Sequence, residues 1–367
     1  MWTGGPATGQ ATRKAGPPPR VEVATPIREQ TTMAEQLVED TFTEVSDRYR
    51  RELLAHCYRM LGSVHEAEDL VQETFLRAWR SFHGFEGRSS MRTWLYRIAT
   101  NACLTALESR NRRPLPTGLG HPSSDPTAPL VEQIEVPWLE PVPDAMVGIG
   151  VDNPAADPAA VVADRESVRL AFVAALQYLP PRQRAVLVLR EVIGLPAAEV
   201  AGMLDTSTAA VNSSLQRARA QLNQAGLQPD EITEPTEPDR RELLGRYVQA
   251  LENKDISSLV TLFTEDAVWE MPPFIGWYQG PFDIGRLVGQ HCPAGPGELR
   301  LLPIESNGQP GFAMYIRHDG TWKPFQLNVL TLTKTGIGHV TAFFDLDLFT
   351  KFGLPSTLPP APADNGS

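Results

Sequence analysis

Cysteine is scarce in this chain: Cys57, Cys103 and Cys292 stand far apart, with no C-x-x-C pair and no histidine pair beside them. That excludes a disulfide framework and a zinc site, so no metal and no cofactor are expected. No apolar run reaches the ~18 residues of a membrane span. The Gly-, Pro- and Thr-rich N-terminus lacks the apolar core of a signal peptide, so the expected location is cytoplasmic, without membrane attachment. Positive charge is also in deficit: 33 Lys and Arg face 44 Asp and Glu, a formal net charge of -11. A nucleic-acid binder with a uniformly basic surface is therefore excluded.

The deficit is local. Residues 114–164 hold Asp125, Glu132, Glu135, Glu140, Asp144, Asp152, Asp157 and Asp164 with no Lys or Arg, and are rich in proline. This stretch reads as a linker, which as a free coil would span roughly 40 Å. On either side the balance reverses: Glu86 to Arg113 carries six arginines against two glutamates, and Arg165 to Ala225 carries seven arginines against four acids. So modest a surplus predicts weak DNA binding by the chain alone, with a larger partner supplying further phosphate contacts.

The flanking segments are helical by period. Leu53, Leu54, Cys57, Tyr58 and Leu61 form one apolar stripe, Ala67, Leu70, Val71, Phe75, Ala78 and Trp79 a second, and Met91, Trp94, Leu95, Ile98, Ala99 and Ala102 a third. They predict a small bundle. After the linker, Pro196 to Leu204 makes a short amphipathic helix and Asp205-Thr206-Ser207 a turn with capping oxygens. In Ser207 to Leu222, the residues Val211, Leu215, Ala218 and Leu222 form a core stripe. The opposite face carries Asn212, Ser213, Ser214, Gln216, Arg217 and Arg219, side chains that bond base edges and phosphates. The spacing is that of a helix-turn-helix, although an ordinary helical hairpin would carry the same stripe.

From Asp239 the texture changes again. A helix over Asp239 to Asn253 and a shorter one through Leu259 and Leu262 precede alternating segments: Ala267–Met271, Leu299–Ile304, Phe312–Arg317, Phe325–Thr333 and Gly338–Phe344. Helices followed by an antiparallel meander predict an α+β domain with a curved sheet and a pocket on its concave face. His339, Thr341, Phe343 and Asp345 share one face of the last strand. Asp345 or His339 could then line a pocket with Trp269, Met271, Trp277 and Tyr315. A strand-end aspartate and a hydrogen-bonded histidine are the plainer readings, and no catalytic residue is expected.

The motifs Ala67-Glu68-Asp69-Leu70-Val71-Gln72-Glu73-Thr74-Phe75-Leu76-Arg77-Ala78-Trp79, Thr93-Trp94-Leu95-Tyr96-Arg97-Ile98-Ala99-Thr100-Asn101, Leu179-Pro180-Pro181-Arg182-Gln183-Arg184 and Leu215-Gln216-Arg217-Ala218-Arg219 occur in this order, with a linker between the second and third. Together they resemble the extracytoplasmic-function group of bacterial sigma-70 factors. Tyr247 to Asp255, Leu262 to Met271 and Trp277-Tyr278-Gln279-Gly280 resemble the SnoaL-like, NTF2-like domain fused to some of these factors, and the whole looks most like the sigma-G subgroup. The implied architecture is multidomain: a disordered extension 1–39 (Met33 being an alternative start), region 2 over 40–113, the linker 114–164 and region 4 over 165–227. A hinge 228–238, the α+β domain 239–355 and a disordered tail 356–367 complete it.

The resemblance implies an alternative sigma factor with core RNA polymerase, through its largest subunits, and promoter DNA as partners. Polymerase docking falls to Asp69, Leu70, Val71, Gln72, Glu73, Phe75 and Arg77. The -10 element falls to Arg88, Arg92, Arg97, Asn101, Arg110, Arg112 and Arg113, with Asn101 at the position that reads the flipped base. The -35 element falls to Thr208, Asn212, Ser213, Ser214, Gln216, Arg217 and Arg219. Relatives commonly carry Lys and Arg near the start of this helix where Asn212 and Ser214 stand here, so their -35 sequence does not transfer. Further expectations are cis regulation by the C-terminal domain without a separate anti-sigma protein, and a small-molecule ligand in that domain. The alternatives are a one-component DNA-binding regulator and a cyclase or isomerase fused to a DNA-binding module.

Overall fold

Residues 27–359 are described in the computed structural model, apart from 86, 88, 110, 151–157 and 225–234. Most of the expected extension 1–39 and tail 356–367, the hinge 228–238, Arg88 and Arg110 thus lie wholly or largely outside the described residues. The chain divides into Met1–Val45 and Ser46–Ser367. Helix α1 (Ile27–Leu61) begins inside the stretch read as disordered.

In the larger unit the remainder of α1 packs with α2 (Val64–Ser81) and α3 (Met91–Leu107). Ser63 caps α2 by accepting from the Glu66 N–H at 3.2 Å, and Ser90 caps α3 by accepting from the Thr93 N–H at 3.0 Å. Leu53, Cys57, Tyr58, Ala67, Val71, Leu95 and Ala99 are buried, as their stripes require. The second helical module comprises α6 (Leu170–Leu176), α7 (Pro181–Leu187), α8 (Ala197–Met203) and α9 (Thr208–Gln224). It follows α4 (Asp144–Val147) and α5 (Pro158–Glu166) of the connecting segment. Asp205 takes a positive φ in the turn between α8 and α9, and Ser207 Oγ accepts from the Ala210 N–H at 3.2 Å.

The C-terminal domain opens with α10 (Glu237–Glu252) and α11 (Ile256–Val260). Strands β1 (Phe263–Glu270) and β2 (Trp277–Gln279), helix α12 (Pro281–His291), then β3 (Leu299–Ser306), β4 (Gln309–His318), β5 (Thr321–Thr333), β6 (Gly336–Phe343) and α13 (Asp347–Lys351) complete it. The sheet order is β2-β1-β6-β5-β4-β3. The meander β3 to β6 is antiparallel as expected, but β1 pairs with β6 in parallel and β2 is an additional edge strand. Alternation of side chains shows which residues share a face, not which strand supplies the hydrogen bonds. Bulges at Met314/Tyr315 and Thr331/Leu332 bend the sheet. Ala267, Trp269, Leu301, Met314, Leu330 and Val340 make the core on its concave side with Tyr247, Leu251, Ile284 and Leu287 of the helices.

The connecting segment departs from the free coil expected of it. From residue 114 to residue 150 it is a strap fastened along both neighbours. Leu139 N–H donates to Pro114 O and Glu140 N–H to Gly62 O, each at 3.0 Å. On the sheet domain, Ser123 N–H donates to Trp277 O at 2.7 Å, Gln133 N–H to Pro273 O at 3.0 Å and Ile275 N–H to Val131 O at 3.0 Å. Proline and acid disfavour long helices and strands here, leaving short turns such as α4, but they do not prevent extended backbone from finding its partners outside itself.

Candidate nucleic-acid interface and its covering domain

On α2, Asp69, Gln72 and Arg77 are exposed and Leu70 and Glu73 half-buried, while Val71 and Phe75 belong to the core. Glu73 and Arg77 pair across one turn at 2.7 Å. The N-terminal end of this helix is occupied. Lys351 of α13 pairs with Glu68, Arg113 pairs with Glu66 at 2.7 Å, and His65 Nδ1 lies 2.9 Å from Glu140.

On α3, Arg97 and Asn101 are exposed. Arg92 pairs with Glu52 at 2.8 Å and lies over the Tyr96 ring. Arg112 stacks on Tyr178 of the second module at 4.2 Å, and Arg113 donates to Trp138 O at 2.9 Å besides its ion pair. Four of the five described residues expected to face the -10 element therefore form no single surface: two are exposed on one helix and two are bound to the strap and the second module. On α9, Thr208, Asn212, Ser213, Gln216, Arg217 and Arg219 are exposed and Ser214 half-buried. Arg217 donates to Ser213 Oγ at 2.9 Å and Ser214 Oγ at 3.1 Å, and Arg219 pairs with Glu191.

The two helical modules contact each other directly. Thr93 Oγ1 donates to Glu199 at 3.1 Å, joining the start of α3 to α8. Arg59, 4% exposed, donates to the Ser167 carbonyl at 3.2 Å and hydroxyl at 2.7 Å. Arg184, 3% exposed, donates to Met60 O and, at 2.8 Å, to Gln177 Oε1; burial lowers its pKa to about 10.

The β3–β4 hairpin is driven into this junction. Asn307 and Gly308 both have positive φ, 58° and 67°, the pairing favoured for a tight two-residue turn. Asn307 is fully buried. Its Nδ2 donates to the Tyr58 hydroxyl and to Val168 O, each at 2.7 Å, and its Oδ1 accepts from Val142 N–H at 2.9 Å. Tyr58 in turn donates to Glu140 O at 2.7 Å. Gly308 N–H donates to the Asp144 carboxylate at 2.7 Å, and a Cβ on Gly308 would lie 3.0 Å from Arg165 O. One turn thus holds the first module, the strap and the second module at a single point. The Asn-Gly dipeptide was a readable turn signal; its burial against Tyr58 was not, because Tyr58 reads as one more member of an apolar stripe.

The pocket expected in the C-terminal domain is partly corrected. Trp269 and Met271 do line a concave cavity of about 220 Å³. Tyr315 lies across the sheet, donating to Pro355 O at 2.8 Å and meeting Phe349 edge-on. His339 also faces away, 2.8 Å from the buried carboxylate of Glu270, which accepts in addition from Thr341 Oγ1 and from Thr117 N–H of the strap. Trp277 Nε1 donates to Gly120 O at 3.1 Å, and Asp345 is exposed, accepting from Asp347 N–H at 3.0 Å. Alternation explains the separation. Met314 and Val340 belong to the concave core, so their neighbours Tyr315, His339 and Thr341 point the other way. The cavity contains no carboxylate; its polar lining is His291, Cys292 and Gln326, which sequence reasoning missed. Among the described residues, no cluster of His, Cys, Asp and Glu could hold a metal ion, and no helix is long and apolar enough to cross a membrane.

The sequence matches the family models for sigma-70 region 2 over residues 45–113 and sigma-70 region 4 over residues 169–222. It is 58% identical over 319 residues to the ECF RNA polymerase sigma factor SigG of Mycobacterium tuberculosis, covering 86% of this chain and 85% of that protein. It is 32% identical to SigJ of the same organism, covering 71% of this chain and 77% of SigJ. The crystal structure of M. tuberculosis SigJ superposes with a TM-score of 0.53 at 24% identity, covering 85% of this chain and 99% of that one.

Proposed function

Because this chain belongs to the extracytoplasmic-function group of sigma-70 factors, we propose that its structure is the restrained form of a sigma factor whose own C-terminal domain and strap hold regions 2 and 4 together. The protein is an alternative sigma factor, a non-enzymatic subunit that binds core RNA polymerase and directs promoter-specific initiation. The alternatives of a one-component regulator and a fused cyclase are not favoured by a match that runs through both sigma regions.

The observation that carries the restraint is the bond from Thr93 to Glu199. Region 2 and region 4 read elements one to two helical turns apart, roughly 35 to 70 Å along the duplex. Modules bonded side by side cannot reach both. Opening must break the buried bonds of Asn307, Arg59 and Arg184 and free Arg112 and Arg113 from Tyr178 and Glu66. On this reading Asn101, Arg97, Arg112 and Arg113 engage the -10 element after release, the exposed face of α9 reads the -35 element, and α2 docks on the polymerase. The restraint acts in cis and needs no separate anti-sigma protein.

Run-off transcription with core polymerase tests this, comparing the full chain with residues 1–238. More transcript from the shorter chain, at equal polymerase affinity, supports the reading; equal transcript at every concentration contradicts it.

A further inference from the structure

The two arginines of α9 are held in opposite ways. Arg165, Arg169, Arg184 and Arg190 are committed to partners inside the protein, which leaves Arg182, Arg217 and Arg219 as the exposed arginines among the described residues of the second module. Arg217 is steadied by neutral groups, the hydroxyls of Ser213 and Ser214, and keeps its full charge for an outside partner. Arg219 is steadied by an acid: its Nε and Nη2 both donate to Oε1 of Glu191, the former at 2.6 Å. Glu191 stands in the π-helical turn Val188–Val192 that continues α7, and such turns recur at functional sites. The Glu191 side chain is 32% exposed and that of Arg219 60%, so the pair lies on the surface and holds no core together.

The spacing along α9 says what Arg219 faces. Thr208, Asn212, Gln216 and Arg219 recur at i, i+4, i+8 and i+11, which is one face of the helix. In a helix-turn-helix the N-terminal residues of the recognition helix meet the base edges. Thr208 and Asn212 therefore lead into the groove, and Arg219, at the far end of the same face, comes level with the flanking phosphates. A guanidinium already neutralised by a carboxylate displaces no counterion from DNA, and the carboxylate itself is repelled by the phosphates.

We propose that Glu191 is an affinity-setting residue of region 4, which withholds Arg219 from the DNA backbone so that α9 meets the duplex with one cation fewer than it carries. This rests on α9 reading the -35 element, as proposed above, and is independent of the cis restraint. An exposed ion pair is weak and exchangeable, so Glu191 lowers affinity by a modest factor and does not abolish binding. A dissociable subunit benefits, because region 4 then occupies little duplex DNA unless polymerase brings it there.

The test uses the full chain assembled with core polymerase, and measures its dissociation constant on a promoter duplex and on the same duplex with the -35 element scrambled, from about 50 to 200 mM salt. Glu191→Gln is expected to tighten binding to both duplexes about three- to tenfold at the lower salt and to steepen the slope of log affinity against log salt by about one. Glu191→Ala should do the same, which separates the lost charge from any bond that glutamine makes. Arg219→Ala should remove the gain in the Glu191→Gln background, and should cost less in the unaltered protein than in that background. Unchanged or weaker binding by both Glu191 variants overturns the inference, since the pair would then be idle or would aim Arg219 at the DNA. A gain that survives Arg219→Ala overturns it too, because no withheld cation would be involved. Asn212→Ala reports separately on the underlying reading. If it weakens binding to the promoter more than to the scrambled duplex while the Glu191 variants change nothing, α9 reads the element and only the role of Glu191 falls. If it weakens neither, the reading of α9 falls, and the inference with it.

Discussion

The side-chain amide of Asn307 donates a 2.7 Å hydrogen bond to the hydroxyl of Tyr58, although the two residues are 249 positions apart and both are fully buried. The bond links the tip of the β3–β4 hairpin to the core of region 2. Burial pushes the Tyr58 phenol far above its ordinary pKa, so it remains neutral and keeps donating to Glu140 O throughout the physiological range. The same amide serves Val168 and Val142, so the C-terminal domain, region 2, the strap and the start of region 4 meet at one side chain.

Replacing that amide should loosen all four. Asn307→Ala leaves Val142 N–H and Val168 O without their partner in a dry site, at about 1 to 3 kcal/mol for each unpaired group. The expected outcome is a loss of about 2 to 4 kcal/mol in urea unfolding and several-fold more run-off transcript per molecule of folded protein. Gly308→Ala should act in the same direction, since its φ is positive and the added carbon meets Arg165.

Asp144 makes the junction sensitive to pH. Burial, and secondarily Glu305, push its carboxyl up to about 6, against the bond from Gly308 and the charges of Arg165 and Arg240. The docked form therefore keeps a proton between roughly pH 4 and 6 that the unfolded chain has released. Stability from this group is full in acid and is lost as pH rises through about 6. Asp144→Asn retains an acceptor for Gly308 and removes the titration. Urea unfolding at pH 7.5 should show the variant more stable by up to about 2 kcal/mol, with the difference shrinking at pH 5.

Much of this arrangement is legible in the amino-acid sequence. The stripes through Tyr58, Phe75 and Ala99 specified the helical bundle, Asp205 to Ser207 marked the turn before α9, and the alternation in β4 to β6 gave the meander. What could not be read is contact between parts. Proline and acid in 114–164 suggested a coil, because nothing in those residues reveals that backbone groups among them find partners on Gly62, Pro273 and Trp277. The pocket was misjudged for a related reason. His339 and Asp345 do share a face, but periodicity does not say which face is concave.

The two reading surfaces should separate cleanly by mutation. Asn101→Ala, at an exposed position of α3, is expected to reduce promoter opening at least tenfold while leaving polymerase affinity unchanged, as scored by permanganate reactivity of the -10 region.

Arg217 tests the other surface. If it contacts a phosphate, Arg217→Ala should weaken holoenzyme binding on all promoters alike and reduce the slope of log affinity against log salt by about one. Sequence-selective loss would instead assign it to a base.

The most direct measurement is transcription by protein locked across the Thr93–Glu199 contact. With cysteines at both positions, Cys292→Ser, and a short reducible bismaleimide, the free protein should cross-link in high yield because these side chains lie 3.1 Å apart. The cross-linked protein should give little or no run-off transcript with core polymerase, and reduction should restore it. A locked protein that transcribes as well as the reduced one would show that regions 2 and 4 need not separate, and would contradict the account of a sigma factor held shut by its own C-terminal domain.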